Sequence, residues 1–131
     1  MDRLFLDANV LFSASWKANS GLADLWRIEG ATLVTSAYAL AETIRNIEDE
    51  AHRARLQGLM EHVEVLPGAR PGQALPVGLS LRAKDMPILL AAIASGATHL
   101  ITGDLRDFKP FFGRKIEGVL VLRPRDYLAR R

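Results

Sequence analysis

Apolar residues in this chain fall into short continuous runs separated by stretches of helical spacing, and the alternation recurs from end to end. Leu4-Phe5-Leu6 has the unbroken apolar character of a strand buried on both faces. A turn or helix is expected from about Asn9 to Ser15, and Gly21 to Glu29 sets Leu22, Leu25, Trp26 and Ile28 at near-helical intervals. Thr32-Leu33-Val34 reads as a second strand. Ser36 is placed to cap a helix whose apolar face would be Ala37, Leu40, Ala41, Ile44 and Ile47. A charged helix from about Asp49 to Glu61 follows, with Leu56, Leu59 and Met60 as its expected core contacts, and then a third strand over Val63-Glu64-Val65-Leu66.

Pro67 to Ser80 breaks the rhythm with three prolines and three glycines in its first twelve residues, and reads as a loop with at most a helical turn near Leu79. Met86 to Ser95 is expected to be a helix carrying Ile88, Leu89, Ala92 and Ile93 and stopped by Gly96. Leu100-Ile101 and Gly118 to Leu122 give two more strands, and Pro124 to Arg130 a short basic terminal helix. Near-continuous apolar strands separated by helices predict an α/β chain with a parallel sheet covered on both faces. The 131 residues form one expected domain with a single core, without internal repeats.

Against that frame four carboxylates stand out. Asp7 closes the first strand, Asp104 closes His99-Leu100-Ile101-Thr102-Gly103, Glu42 lies in an Ala/Leu-rich helix, and Asp85 opens another. In an open parallel sheet functional groups collect beyond the carboxyl ends of the strands, where Asp7 and Asp104 both emerge. Carboxylates gathered without basic partners raise one another's pKa. A divalent cation relieves that repulsion, and oxygen-only ligands favour Mg²⁺ or Mn²⁺. Metal-assisted hydrolysis of a phosphodiester is the chemistry this predicts. Asp7, Asp85 and Asp104 are the expected metal ligands, with Glu42 completing the catalytic set. Asn9 and Thr102 are placed to orient a carboxylate, and Asp107, one helical turn after Asp104, is a further potential ligand.

Each acid also has a plainer explanation. Asp7 and Asp85 could cap the helices that follow them, Asp104 could belong to a turn, and Glu42 could pair with Arg45 on a solvated face. Arg82 and Lys84 could meet a phosphate or form a solvated charge pair, and Trp16 and Trp26 read as core or interface aromatics rather than base-stacking platforms. His52 and His62 are expected at helix ends or on the surface, and His99 at the start of a strand. The three histidines show no metal-ligand spacing and no serine-histidine-aspartate arrangement is legible. No phosphate-binding glycine loop appears.

Composition narrows the field. Cysteine is absent, which excludes disulfides and thiolate-bound zinc. The first apolar run is too short for a signal peptide or membrane span, so a cytoplasmic protein without a membrane partner is expected. Net charge is only +2, but setting aside the four candidate ligands leaves 11 acids against 17 bases, a basic surround of +6. An acidic centre in a basic surround suits a polyanionic substrate that must also meet a cation.

The motifs resemble a known family. Phe5-Leu6-Asp7-Ala8-Asn9-Val10-Leu11 looks like the opening of PIN-domain ribonucleases, and Ala41-Glu42 resembles their second acidic position. Leu81-Arg82-Ala83-Lys84-Asp85 resembles the third, and Leu100 to Phe108, with its trailing Asp107-Phe108, the fourth. The chain's size is similar to that of the toxin nucleases of VapBC toxin–antitoxin modules. The resemblance implies a three-layer α/β/α fold with a parallel five-stranded sheet in the order 3-2-1-4-5. It also implies Mg²⁺- or Mn²⁺-dependent endonucleolytic cleavage of RNA, a homodimer, and an antitoxin partner for a toxin. Met86-Pro87-Ile88-Leu89-Leu90 is bulkier than the usual helix start, and the Pro/Gly loop stands where a helix is common. Two rival readings exist: a catalytically silent nucleic-acid-binding module of the same fold, and a haloacid-dehalogenase-like phosphatase with Asp7 as nucleophile. The second wants an Asp at position 9, where this chain has Asn.

Overall fold

The computed structural model describes residues 1–69, 72–74 and 81–130. Its strands are β1 (Asp2–Leu6), β2 (Ala31–Ser36), β3 (Val63–Leu66), β4 (His99–Ile101), β5 (Lys115–Ile116) and β6 (Val119–Leu122). Its α-helices are α1 (Ala8–Ser15), α2 (Ala37–Asn46), α3 (Glu50–Met60), α4 (Met86–Ala94), α5 (Leu105–Phe108) and α6 (Pro124–Ala129), with 3₁₀ turns over Gly21–Arg27 and Lys109–Phe111. The expected helical turn near Leu79 lies outside the described residues.

The sheet order is β3-β2-β1-β4-β6-β5. Five strands are parallel in the expected order, and the expected fifth strand is β6. The sixth, β5, pairs antiparallel with β6 at the edge, Lys115 opposite Leu120 and Ile116 opposite Val119. Glu117 (φ 50°) and Gly118 (φ 85°) join them in a two-residue hairpin whose two central residues both need positive φ. A strand of two residues has no periodicity of its own, which is why only the turn dipeptide could have announced it.

Alternation along the strands divides the core in two. Phe5, Val34, Leu100 and Val121 face α4, where Ile88, Leu89, Ala91 and Ala92 are buried. Leu4, Leu6, Leu33, Ile101 and Leu122 face the opposite layer with Val10 and Leu11 of α1, Leu56 of α3 and Tyr127 of α6. This is the α/β/α sandwich. β1 lies between β2 and β4, so the chain builds outward to one side and then restarts on the other. The carboxyl ends of β1 and β4 flank that switch point, where such sheets open a crevice.

Three local expectations are corrected in part. On α2 the buried positions are Ala39 and Thr43, with Ile47 just beyond the helix, whereas Ala37, Ala41 and Ile44 are exposed. Ser36 does cap this helix, accepting from Ala39 N at 3.1 Å. Small side chains let the helix pack close, so Ala39 and Thr43 set its inward face and Ile44 is turned outward. His52 stands in the first turn of α3, as expected of a helix-end residue, but it is buried rather than superficial, with Nε2 3.0 Å from both the Phe12 carbonyl and Ser15 Oγ. Trp16 is not a core residue: it is 57% exposed. Trp26 is half-buried and donates its indole N–H to the Leu59 carbonyl at 2.9 Å. Among the described residues no helix is long and apolar enough to cross a membrane.

Candidate active site

Asp7 follows β1 directly, where an extended residue (φ −71°, ψ 161°) ends the strand and starts α1. Its Oδ1 accepts from Ala8 N at 2.7 Å. Its Oδ2 accepts from Thr102 Oγ1 at 2.7 Å and from Asn9 Nδ2 at 3.2 Å. Thr102 comes straight after β4 and is fully buried. Its hydroxyl oxygen also accepts from Asp104 N at 3.1 Å, while Asn9 Oδ1 accepts from Gly103 N at 2.8 Å. Asn9 and Thr102 therefore stitch the end of β1 to the end of β4. A Cβ added to Gly103 would stand 3.2 Å from Asn9 Oδ1, so a larger residue there would crowd that stitch. Burial, opposed by the hydrogen bonds from Thr102 and Ala8, pushes Asp7 up to about 6.

Asp85 precedes α4 in αR geometry (φ −98°, ψ −16°), and its side chain caps nothing. The plainer reading of this acid as an N-cap therefore fails. It is buried, and its Oδ2 meets no hydrogen-bond donor among the described residues; the same is true of Asp107 Oδ2. Carboxylate oxygens of Asp85, Asp104 and Asp107 lie within 4.8 Å of one another. Burial and the adjoining Asp107 carboxylate push Asp85 up to about 7. Asp107 is held below the ordinary range by its contact with Asp85 and by Arg82 and Lys84. Arg82 Nε lies 3.1 Å from Asp107 Oδ1 and Lys84 Nζ 3.9 Å from Oδ2. Asp104 caps the short helix α5 by accepting from Asp107 N at 3.0 Å.

A cleft of about 500 Å³ opens over these groups, lined by Asp7, Asn9, Glu42, Lys84, Asp85 and Asp104 among others. Glu42 projects from α2, half-buried, and makes no ion pair with Arg45 among the described residues. The structure thus brings Asp7, Glu42, Asp85 and Asp104 to one cavity. The tight carboxylate trio, however, contains Asp107 where the sequence suggested Asp7, because Thr102 and Asn9 turn Asp7 Oδ2 towards β4. Phe12, Ser13 and Asn46 also line the cleft and were not anticipated. Phe12 and Ser13 lie one helical turn beyond Asn9, and Asn46 one turn beyond Glu42, so their spacing was a usable signal.

The donor set fits a hard divalent cation. Its ligand atoms are all carboxylate oxygens, two of them buried without donors, and no thiolate or imidazole stands among them. Buried acceptors facing one another without a hydrogen between them must share a proton or a cation.

The sequence matches the family model for the PIN domain over residues 4–110. The chain belongs to the PIN-domain family. PIN domains are generally nucleases, and the matched span contains all the acids described above. The chain is structurally similar to VapBC2 from Rickettsia felis, solved bound to a DNA fragment from its promoter. That match has a TM-score of 0.64 and 17% identity, covering 92% of this chain and 98% of that one. It is also similar to VapBC-1 from nontypeable Haemophilus influenzae, with TM-score 0.61 and 18% identity, covering 94% and 98%. At such identities the likeness is one of fold. No curated protein sequence matches at a significant level.

Proposed function

We propose that this PIN domain is a Mg²⁺- or Mn²⁺-dependent endoribonuclease acting as the toxin of a type II toxin–antitoxin pair, and that it works as a cytoplasmic homodimer. One observation carries the reading: carboxylates from four separate chain segments line a single cleft, and Asp85 Oδ2 and Asp107 Oδ2, buried beside it, meet no hydrogen-bond donor among the described residues. Asp85, Asp104 and Asp107 would hold the cation, with Asp7 and Glu42 completing the acidic wall. A bound cation would supply a water of lowered pKa and offset charge on the phosphate oxygens.

The remaining work falls to the chain's own residues. Thr102 and Asn9 fix the Asp7 carboxylate in one orientation, so no rotamer search is needed when substrate arrives. Arg82, paired with Asp107, keeps the segment before α4 against α5 and so fixes Asp85 relative to Asp104. Lys84 stands on the cleft rim, 56% exposed, where its ammonium can meet a phosphate. Asn9, Ser13 and Asn46 offer neutral polar groups to ribose and backbone. The fold shared with the VapBC structures supports a small antitoxin as protein partner.

The test is cleavage of structured RNA by wild-type protein with Mn²⁺ or with EDTA, beside Asp7→Asn. Cleavage that requires Mn²⁺ and is lost in the variant is expected. Equal cleavage by Asp7→Asn, or none by wild type, would contradict the proposal; turnover of a small phosphomonoester instead would favour a phosphatase.

A further inference from the structure

Trp16 is a large aromatic exposed to solvent, yet it is held firmly. Its indole meets His52 edge to face at 5.5 Å and Phe12 at 5.7 Å, tilted by 31°. Its carbonyl accepts from Arg55 Nη2 at 2.6 Å, and the preceding carbonyl of Ser15 accepts from Arg55 Nε at 2.9 Å. Beneath it, His52 is itself locked to α1 through the Phe12 carbonyl and Ser15 Oγ. Half of the ring system is thus packed and half presented outward, without the ordering cost that a mobile surface tryptophan would incur on binding.

Its position on α1 gives that presentation a direction. Asn9, Phe12, Ser13 and Trp16 are spaced i, i+3, i+4, i+7, and Trp16 keeps helical dihedrals (φ −58°, ψ −39°), so the four form one stripe. The first three line the cleft. The stripe runs from the Asp7 end of α1 outward and ends on Trp16. At 1.5 Å per residue Trp16 stands roughly 13 Å along the axis from Asp7, within a few nucleotides of any phosphate held in the cleft. Exposed Lys17 adjoins it in sequence, and the Arg55 guanidinium reaches its carbonyl, so both neighbours are cationic.

We propose that Trp16 is a stacking platform for an unpaired RNA base a few nucleotides from the scissile phosphate, with Phe12 continuing the aromatic surface into the cleft. The inference rests on the RNA-cleaving reading and names how that site selects single-stranded substrate. Stacking is tolerant of base identity because every base has a π-face, while Lys17 and Arg55 answer the backbone charge. Trp16 binds and positions; it takes no part in the chemistry.

The test uses full-length protein carrying Asp7→Asn, to prevent cleavage, and Trp26→Phe, to leave Trp16 as the only indole. An unstructured, fluorescein-labelled RNA is titrated, with anisotropy reporting binding and indole emission reporting Trp16. Emission should fall in step with binding. Trp16→Ala should weaken binding on the order of 10-fold or more, and Trp16→Tyr should restore most of it. Scanning an abasic nucleotide along the RNA should reveal one position that costs Trp16 protein a similar factor and costs Trp16→Ala nothing. RNA binding with unchanged emission, or equal affinity in Trp16→Ala, would overturn the platform while Mn²⁺-dependent cleavage by wild type left the nuclease reading intact. Unchanged RNA affinity with loss of a dimer in Trp16→Ala would assign the face to protein contact and overturn it as well. Absence of any RNA binding would overturn both readings together.

Discussion

Thr102 Oγ1 donates a 2.7 Å hydrogen bond to Asp7 Oδ2, tying the residue after β4 to the residue after β1 across the point where the strand order reverses. The hydroxyl oxygen accepts in turn from Asp104 N, so one buried side chain positions two acids. Thr102→Val keeps the shape and removes both bonds, together with the one its oxygen accepts from Asn9 Nδ2 at 3.3 Å. It is expected to cost about 1–3 kcal/mol of stability by leaving Asp104 N and Asp7 Oδ2 short of a partner. Cleavage should fall roughly 10- to 100-fold, the usual effect of losing a group that orients a metal-binding carboxylate. Urea denaturation and cleavage rates check the two parts separately.

Burial raises Asp7 from 3.8 to about 6, so between those values the native state binds more protons than the unfolded chain. Stability without metal should therefore fall as pH rises from about 4 to about 6, by ~3 kcal/mol at most from this group, and stay level above. Asp85, raised to about 7, extends the decline towards neutrality. Asp7→Asn should be at least as stable as wild type at pH 7 without metal, and should flatten the acid part of the profile. Mn²⁺ needs ionised carboxylates, so the stabilisation it gives wild type should grow from pH 5 to pH 7.5. Thermal melts of both proteins, with and without Mn²⁺, give all four curves.

His52 holds the layer behind the cleft. It is 1% exposed, bonded to Phe12 and Ser15, and in edge contact with the rings of Phe12 and Trp16. His52→Ala should destabilise the fold by about 2–4 kcal/mol through the cavity it leaves and the loss of its contacts with the Phe12 carbonyl and Ser15 Oγ. Urea unfolding measures it.

The parallel frame was legible because β1, β2 and β4 are short apolar runs with turn residues beside them, a pattern few alternatives produce. The acids were legible for the same reason: Asp7 and Asp104 stand where such strands end. What composition hid was side-chain direction. On α2 Ala39 and Thr43 point in, and of the expected apolar face Leu40 and Ile47 meet the core while Ala37, Ala41 and Ile44 face outward, so counting hydrophobic residues found only part of the buried face. It also passed over Asn46, which lines the cleft one turn beyond Glu42. His52 reads as polar, yet backbone and hydroxyl partners on α1 satisfy it inside. Trp16 reads as a core or interface aromatic, and the core alternative fails because it follows the last turn of α1 and escapes cover. The partnership of Asp107 with Asp85 depends on how α5 turns after Asp104, which spacing alone leaves open.

Calorimetric titration of metal-free protein with MnCl₂ at pH 7.5 examines most directly whether Asp85, Asp104 and Asp107 share a cation. Saturable binding with proton release is expected in wild type, weakened at least 10-fold in Asp85→Asn. Mn²⁺ binding that is absent from wild type, or undiminished in Asp85→Asn, would contradict that sharing.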